Sequence, residues 1–272
     1  MPELPEVETI VRQLRPLIRG EIIRACIIFQ PSYLRGGDPA EFIDAVIGRE
    51  VGSVNRRGKY ILWQLDIGIV LSHLGMTGKY IIRDAGSEVP KHSVASFGFD
   101  GFNLILDDTR RFGRLRLYPV LNGIPEIESL GIEPLSESFT PEYLTGKFKG
   151  RKRSIKELIL DQSIIAGLGN IYASEILFQA RIHPLKPGGE ISLEQLNELI
   201  SSTKEILTQA IEKSGATISD YKRVDEKSGE FQNFLKVYGK TAVACPSCDS
   251  EIERIVIGGR SSFFCPKCQN HL

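Results

Sequence analysis

Two short cysteine pairs, Cys245-Pro-Ser-Cys248 and Cys265-Pro-Lys-Cys268, stand 16 residues apart near the C-terminal end of the sequence. Two C-x2-C knuckles at this separation present four thiolates to one tetrahedral ion, and zinc is the usual occupant. Four sulfur ligands leave no open coordination position, so the pattern predicts one structural Zn2+ rather than a catalytic one. Structural zinc binds peptides with roughly 10–16 kcal/mol, enough to fold so small a tail. Between the knuckles, IERIVI and SSFF flank Gly258-Gly259-Arg260, which reads as a β-hairpin turning at the two glycines. The metal then fixes geometry, and Arg260 beside the turn becomes the functional candidate. A zinc-stapled hairpin with an exposed arginine points to nucleic acid, although protein-binding ribbons are built the same way. The fifth cysteine, Cys26, sits alone in an apolar run and reads as a small buried hydrophobe, not as part of a disulfide framework. No positively charged leader precedes an apolar stretch, and no run approaches the roughly 18 apolar residues of a membrane span. The expectation is a cytoplasmic protein with no membrane partner.

At 272 residues the chain has room for two domains. After a first helix, short β-rich runs alternate with turn residues to about residue 120: IIRACIIFQ, KYILWQLD, GIVLSHL, KYIIRD, SFGFD, FNLILDD and FGRLRLY. This predicts a β-sandwich with flanking helices, PAEFIDAVI (39–47) being the second. GIPEIESLGIEPLSESFTP (123–141) reads as linker. Beyond it the periodicity turns helical, most clearly over 192–215, where Leu193, Leu196, Ile200, Ile206, Leu207 and Ile211 form a stripe and Gly215 a stop. Residues 216–236 are polar and aperiodic, a length that inside a compact domain is more often functional than structural. The expected boundaries are a β-sandwich domain at 1–122, a linker at 123–141, a helical domain at 142–236 and a zinc finger at 237–272.

Lys plus Arg and Asp plus Glu both total 34, so the formal net charge is zero. The distribution is uneven. Lys147, Lys149, Arg151, Lys152, Arg153 and Lys156 occupy ten residues without an acid; Arg110, Arg111, Arg114 and Arg116 form a second cluster, and Arg56, Arg57 and Lys59 a third. Clustered basic faces are what phosphate backbones select. In HLGMTGK (73–79) and TRRFG (109–113) a bulky residue, Met76 or Phe112, stands next to or near glycine beside a strand. Taken singly, each is more often a core residue, but an apolar tip beside arginines also suits insertion into a base stack. AGLGN (166–170) is not a dinucleotide fingerprint; it reads as a reversal between two helices, with Asn170 opening the second, where N–H groups can hold a phosphate.

The opening MPELPEVET places Pro5 at the start of a helix with Glu6 and Glu8 in its first turn, which local preferences explain. They do not explain Pro2 and Glu3. Removal of Met1 would leave Pro2 with a secondary amine, which adds to an aldehyde to give an obligately cationic iminium, an electron sink that promotes β-elimination. Glu3 and Glu6 are close enough in sequence for general acid or base work, and Lys59 is a further amine able to move protons. An amine nucleophile, carboxylates, an apolar wedge and phosphate-binding clusters together suggest attack on deoxyribose, whose ring-opened C1′ is an aldehyde.

On MPELPEVET, RRGKY (56–60), HLGM (73–76), KH (91–92), RRFG (110–113), LGIEPL (130–135), AGLGNIYASE (166–175), VYGK (237–240) and the cysteine finger, in order along the whole chain, the sequence resembles the bacterial formamidopyrimidine-DNA glycosylases of the Fpg/Nei family. The resemblance implies an α+β, two-domain glycosylase and abasic-site lyase: an N-terminal β-sandwich with flanking helices, and a C-terminal helical domain with a helix–two-turn–helix element and a four-cysteine zinc-finger hairpin. Its implied partner is damaged double-stranded DNA, bound by a monomer, and its implied task is to excise oxidised purines (8-oxoguanine, formamidopyrimidines) in base excision repair. It further implies Pro2 as Schiff-base nucleophile, Glu3 as proton donor to the sugar with Glu6 assisting, Lys59 as the β-elimination acid and Arg260 as the δ-elimination acid. Met76, Arg110 and Phe112 resemble the residues that fill the gap left by a flipped base, and Arg111 beside them is a further candidate DNA contact. His92, Arg151, Lys152 and Asn170 fall where family members contact phosphates, and 216–236 resembles the loop that closes over the lesion. This chain reads KHSV at 91–94 where relatives often read KHDH, and Glu157 where many carry proline, departures that bear on substrate preference. Two rivals stand beside this reading: a Nei-like preference for oxidised pyrimidines, and a non-catalytic zinc-ribbon protein that only binds damaged DNA.

Overall fold

Helix α1 (Leu4–Ile18) buries Leu4, Val7, Ile10, Val11, Leu14 and Ile18 on one side, the spacing expected of an amphipathic helix laid on a sheet. A computed structural model of the chain describes residues 1–119, 123–218 and 221–270. The last three positions of the expected N-terminal domain, two of the aperiodic loop (219–220) and two of the finger segment (271–272) lie outside them. The chain divides into two compact units, residues 1–128 with 213–232, and residues 129–212 with 233–272.

In the first unit, β1 (Ala25–Ile28), β5 (Lys79–Asp84), β6 (Ser93–Gly98) and β7 (Phe102–Asp107) form an antiparallel sheet of order β1-β6-β7-β5. A second antiparallel sheet has order β2-β3-β4-β8, from β2 (Val51–Arg57), β3 (Tyr60–Leu65), β4 (Gly68–His73) and β8 (Arg114–Tyr118). The two sheets share one core with α1 and α2 (Pro39–Val46). Trp63 of β3 lies 4.8 Å from the ring of Phe97 on β6 and 5.7 Å from that of Tyr80 on β5. This is the sandwich expected from the sequence, with one strand added. β2 is absent from the apolar runs because VGSVNRR has only Val51 and Val54 facing the core.

In the second unit, α4 (Pro141–Phe148), α5 (Ile155–Leu160), α6 (Asn170–Gln179) and α7 (Leu193–Glu212) form the helical part, after a single turn α3 (Pro125–Glu128) that belongs to the first unit. β9 (Glu253–Ile257) and β10 (Arg260–Phe264) form the hairpin, with Ile257 opposite Arg260 and positive φ at both Gly258 (54°) and Gly259 (74°). A two-residue hairpin turn of this type needs φ above zero at both central positions, which glycine supplies without a steric cost. Among the described residues no helix is long and apolar enough to cross a membrane.

Two expected boundaries need correction. The latter part of the linker at 123–141 is packed rather than loose: Gly131 N–H donates to Gln162 O (2.8 Å), Ile132 N–H to Ile164 O (3.1 Å), and Phe139 is buried. Most of the aperiodic segment 216–236 falls within residues 213–232, which group with the β-sandwich and not with the helical domain. Its Tyr221 and Val224 enter the N-terminal core, Val224 N–H donates to Gln13 Oε1 (3.0 Å), and Arg83 pairs with Glu226 (2.7 Å).

Candidate active site and nucleic-acid-contacting elements

The first unit gathers its chemistry at the N-terminus of α1. Pro2, Glu3 and Glu6 are all buried, Glu3 at 4% and Glu6 at 1% exposure, whereas Met1 is half exposed. Carboxylates survive burial here because the positive end of the helix and its unpaired N–H groups favour them. Glu6 accepts the Glu3 N–H at 2.8 Å with one oxygen and the Ala216 N–H at 2.7 Å with the other. The arrangement fixes Glu3 beside Pro2 and suits Glu6 to orienting more than to carrying a proton. It also ties the 213–232 segment to the helix start.

Lys59 lies in the turn between β2 and β3 and is 7% exposed. The turn is held by Arg56, which pairs with Glu8 of α1 (3.0 Å) and donates to Gly58 O (2.9 Å). The basic cluster of Arg56, Arg57 and Lys59 is therefore not an open phosphate-binding face: Arg56 is committed to Glu8 and Lys59 is enclosed. Burial pushes the Glu8 carboxyl up, but Arg12 and Arg56 outweigh it and leave it below its ordinary value. His73, at the end of β4, is a residue that the motif reading passed over. Its Nδ1 accepts the Gly75 N–H at 3.0 Å, so the ring proton belongs on Nε2. Burial, with Arg114 and Lys59 adding positive charge nearby, pushes its pKa down to about 4.

Met76 and Phe112 are the exposed apolar tips, at 39% and 52%. Exposed Arg110 lays its guanidinium 4.7 Å over the Phe112 ring, a cation–π contact that holds the two together. The loops that bear them touch: a Cβ on Gly75 would lie 2.5 Å from Gly113 N. Arg111 is exposed with φ of 56°, and His92 is half-buried in the turn just before β6.

In the second unit the turn between α5 and α6 is organised by Gln162, which donates to Leu160 O and Leu168 O and accepts the Gly167 N–H (2.9 Å). It delivers Asn170 to the first position of α6, where its Nδ2 donates to Ser261 O at 2.7 Å. Asn170 is thereby fastened to β10 next to Arg260. Arg260 itself is exposed and lines a depression of about 180 Å³ with Arg153, Glu157, Leu160, Asp161 and Gly258. Glu157, which caps α5 through Ser154, reaches this turn, its Oε1 lying 3.6 Å from where a Cβ on Gly258 would be. Arg151 and Lys152 are exposed in the α4–α5 connection, and Arg153 is partly committed to Asp161 (3.1 Å). Lys156, by contrast, is buried on Ser174 Oγ (2.7 Å), so it does not contribute to the basic surface.

The sulfur atoms of Cys245, Cys248, Cys265 and Cys268 all lie within 4.8 Å of one another, with Cys245–Cys268 at 3.9 Å and Cys248–Cys265 at 3.4 Å. Tetrahedral zinc with Zn–S bonds of about 2.3 Å needs sulfurs about 3.8 Å apart, so the cluster fits one structural Zn2+. Ser247 N–H and Cys268 N–H point at cysteine sulfurs, the second-shell bonds that thiolate ligands require. The knuckles are anchored by Gln269, buried and missed from sequence, which accepts the Cys265 N–H and donates to Ile182 O. Glu175, also missed, accepts the N–H groups of Lys236, Val237 and Tyr238 with one carboxylate and so shapes the entry to the finger.

Comparison with known proteins agrees with this geometry along the whole chain. The family model of the formamidopyrimidine-DNA glycosylase N-terminal domain matches residues 1–115, that of the corresponding H2TH domain residues 130–222, and a zinc finger found in FPG and IleRS residues 244–270. Curated formamidopyrimidine-DNA glycosylases of an Exiguobacterium species and of Brevibacillus brevis are each 41% identical, over 99% and 100% of both chains respectively. A Lactococcus lactis FPG variant solved with DNA containing Fapy-dG superposes with a TM-score of 0.94 at 35% identity, covering 99% of this chain and all of that one. The wild-type Lactococcus lactis protein solved with DNA containing an oxidised pyrimidine gives 0.92 at 34% identity.

Proposed function

The chain belongs to the formamidopyrimidine-DNA glycosylase family, and from that premise we propose how its residues divide the work of base excision. It is a DNA glycosylase of base excision repair that binds damaged DNA, carries one structural zinc in its four-cysteine finger, and shares the family's abasic-site lyase chemistry. The roles of individual residues and the lesion preference are our reading.

With Met1 removed, the Pro2 nitrogen attacks C1′ of the damaged nucleotide. The glycosidic bond breaks, its electron pair leaving with the protonated base, and a proton from Glu3 to the ring oxygen opens the sugar. The product is an iminium joining Pro2 to C1′. Glu3, left ionised by that transfer, takes the C2′ proton as the 3′ phosphate leaves with a proton from Lys59; a second elimination, its C–H proton passing to water, expels the 5′ phosphate with a proton from Arg260. Glu6 orients Glu3. Extrusion of a base costs a few kcal/mol of stacking, which Met76, Arg110 and Phe112 offset by filling the gap while Arg111, His92, Arg151, Lys152 and Asn170 grip phosphates. The zinc, when bound, supplies rigidity to the hairpin that carries Arg260, and no step passes through it.

The observation that carries this reading is the burial of Pro2, Glu3 and Glu6 together at the start of α1. Elsewhere a terminal proline frays; here it is enclosed beside two carboxylates. We propose further that the chain acts as a monomer in the cytoplasm, where a reducing setting keeps the finger thiolates available to zinc. Oxidised purines are the proposed substrates. Incubation with duplexes carrying 8-oxoguanine, a formamidopyrimidine or thymine glycol tests this: the two purine lesions are cut faster, and a preference for thymine glycol overturns the purine assignment.

A further inference from the structure

Asp108 follows β7 directly, is 0% exposed, and takes part in none of the steps above. Its two carboxylate oxygens are nonetheless saturated. Oδ1 accepts from Thr77 Oγ1 (2.5 Å) and Arg110 N–H (3.2 Å); Oδ2 accepts from Gly113 N–H (3.0 Å) and Tyr33 Oη–H (3.2 Å). Thr77 Oγ1 in turn accepts the Arg110 N–H at 3.0 Å, and the Asp108 N–H donates to His92 O at 3.0 Å. The donors come from both apolar-tipped loops: Thr77 adjoins Met76, and Arg110 and Gly113 bracket Phe112.

We propose that Asp108 is the positioning residue that joins the Met76 loop and the Arg110–Phe112 loop into one preformed wedge. The inference rests on the reading of Met76, Arg110 and Phe112 as residues that fill the gap left by the flipped base. A buried carboxylate must be matched by donors or it is strongly destabilising, and here the matching donors are the backbone of one loop and the hydroxyl of the other. Separating the loops would strand the charge. Arg111 shows the same constraint: φ of 56° is unfavourable for a non-glycine residue and persists only where neighbours over-determine it. The neighbours that do so, Arg110 N–H and Gly113 N–H, both end on Asp108. The glycines complete the joint, because a side chain on Gly75 would run into the Phe112–Gly113 backbone and one on Gly113 into the Tyr33 hydroxyl. Loops already fixed lose little further freedom on entering a base stack, so the cost of extruding a nucleotide falls on unstacking alone.

The test compares two substrates in single-turnover reactions with the full-length, zinc-loaded enzyme. One is a duplex carrying 8-oxoguanine, where the wedge must displace a base; the other is a single-stranded abasic oligonucleotide, which has no stack to open. Asp108→Asn turns an amide NH2 onto N–H donors, and Thr77→Val removes the hydroxyl with little change of shape. Both should slow duplex excision by about tenfold or more while nicking of the single strand stays within about twofold, and Thr77→Ser should restore the duplex rate. Equal loss on both substrates, or no loss on the duplex, overturns the positioning role. Phe112→Ala separates this from the reading beneath it: normal excision by that variant removes the wedge assignment and the inference with it, whereas impaired excision by Phe112→Ala beside normal Asp108→Asn and Thr77→Val overturns the inference alone.

Discussion

Glu6 holds the backbone N–H of Ala216 at 2.7 Å across a separation of 210 residues. With its other oxygen it holds the N–H of Glu3. One carboxylate thus couples the proposed acid to the segment that the family resemblance assigns to lesion closure. Glu6→Gln leaves one acceptor and turns an NH2 toward the other N–H. A charged acceptor lost from a buried N–H costs about 1.5–3 kcal/mol, so amide exchange at Ala216 or Glu3 should accelerate roughly ten- to a hundredfold. Unchanged protection at both positions would show that the segment is held by other contacts.

The Glu8–Arg56 pair carries a pH signature. Glu8 is held below its ordinary pKa of 4.5, so its ionised form stabilises the fold above that value and the contribution disappears as pH falls through the lowered pKa. Glu8→Gln should destabilise the protein at pH 7 by about 1 kcal/mol in denaturant titrations, and the gap to wild type should close in acid. A gap that stays constant with pH would mean that shape, not charge, is what Glu8 contributes.

His73 has the opposite sense. Its pKa falls from 6.5 to about 4 in the folded chain, so between those values the unfolded chain binds a proton that the folded one refuses. Stability therefore drops as pH goes from 6.5 toward 4. His73→Gln should lose less over that interval than wild type does, and nitrogen NMR should show a neutral Nε2–H ring at pH 6. An imidazolium signal at that pH would contradict the geometry at Gly75.

Metal removal can be read domain by domain. The chain has one tryptophan, Trp63, buried in the first unit, whereas the cysteines and their packing partners Phe178, Val237 and Ile252 lie in the second. Chelation should abolish duplex binding and leave Trp63 emission unchanged, since structural zinc sites lose their fold with their ion. Binding that survives complete metal loss would make the finger dispensable.

What could be read from the sequence followed the range of the contacts involved. The finger was legible because its ligands, knuckles and turn lie within one short segment. β2 was not, since Val51 and Val54 give no alternation and the strand is recognised only by its pairing with β3. The third basic cluster reads as an open face in sequence for the same reason: the partner of Arg56 is Glu8, 48 residues away. The 213–232 segment follows a helix and in sequence groups with the helices, whereas its anchors, Glu6 and Gln13, stand at the other end of the chain. Asp108 is the second of two consecutive aspartates, one ending a strand and one following it, with nothing local to mark it as the one that binds both loops.

The central claim is that the Pro2 nitrogen becomes bonded to sugar carbon. Borohydride reduction during turnover on an 8-oxoguanine duplex, followed by proteolysis and mass spectrometry of the trapped complex, reads that bond directly. The account predicts a peptide that begins at Pro2, lacks Met1 and carries the sugar remnant on its terminal nitrogen. A remnant carried instead by a lysine such as Lys59, or active enzyme that retains Met1, would contradict it.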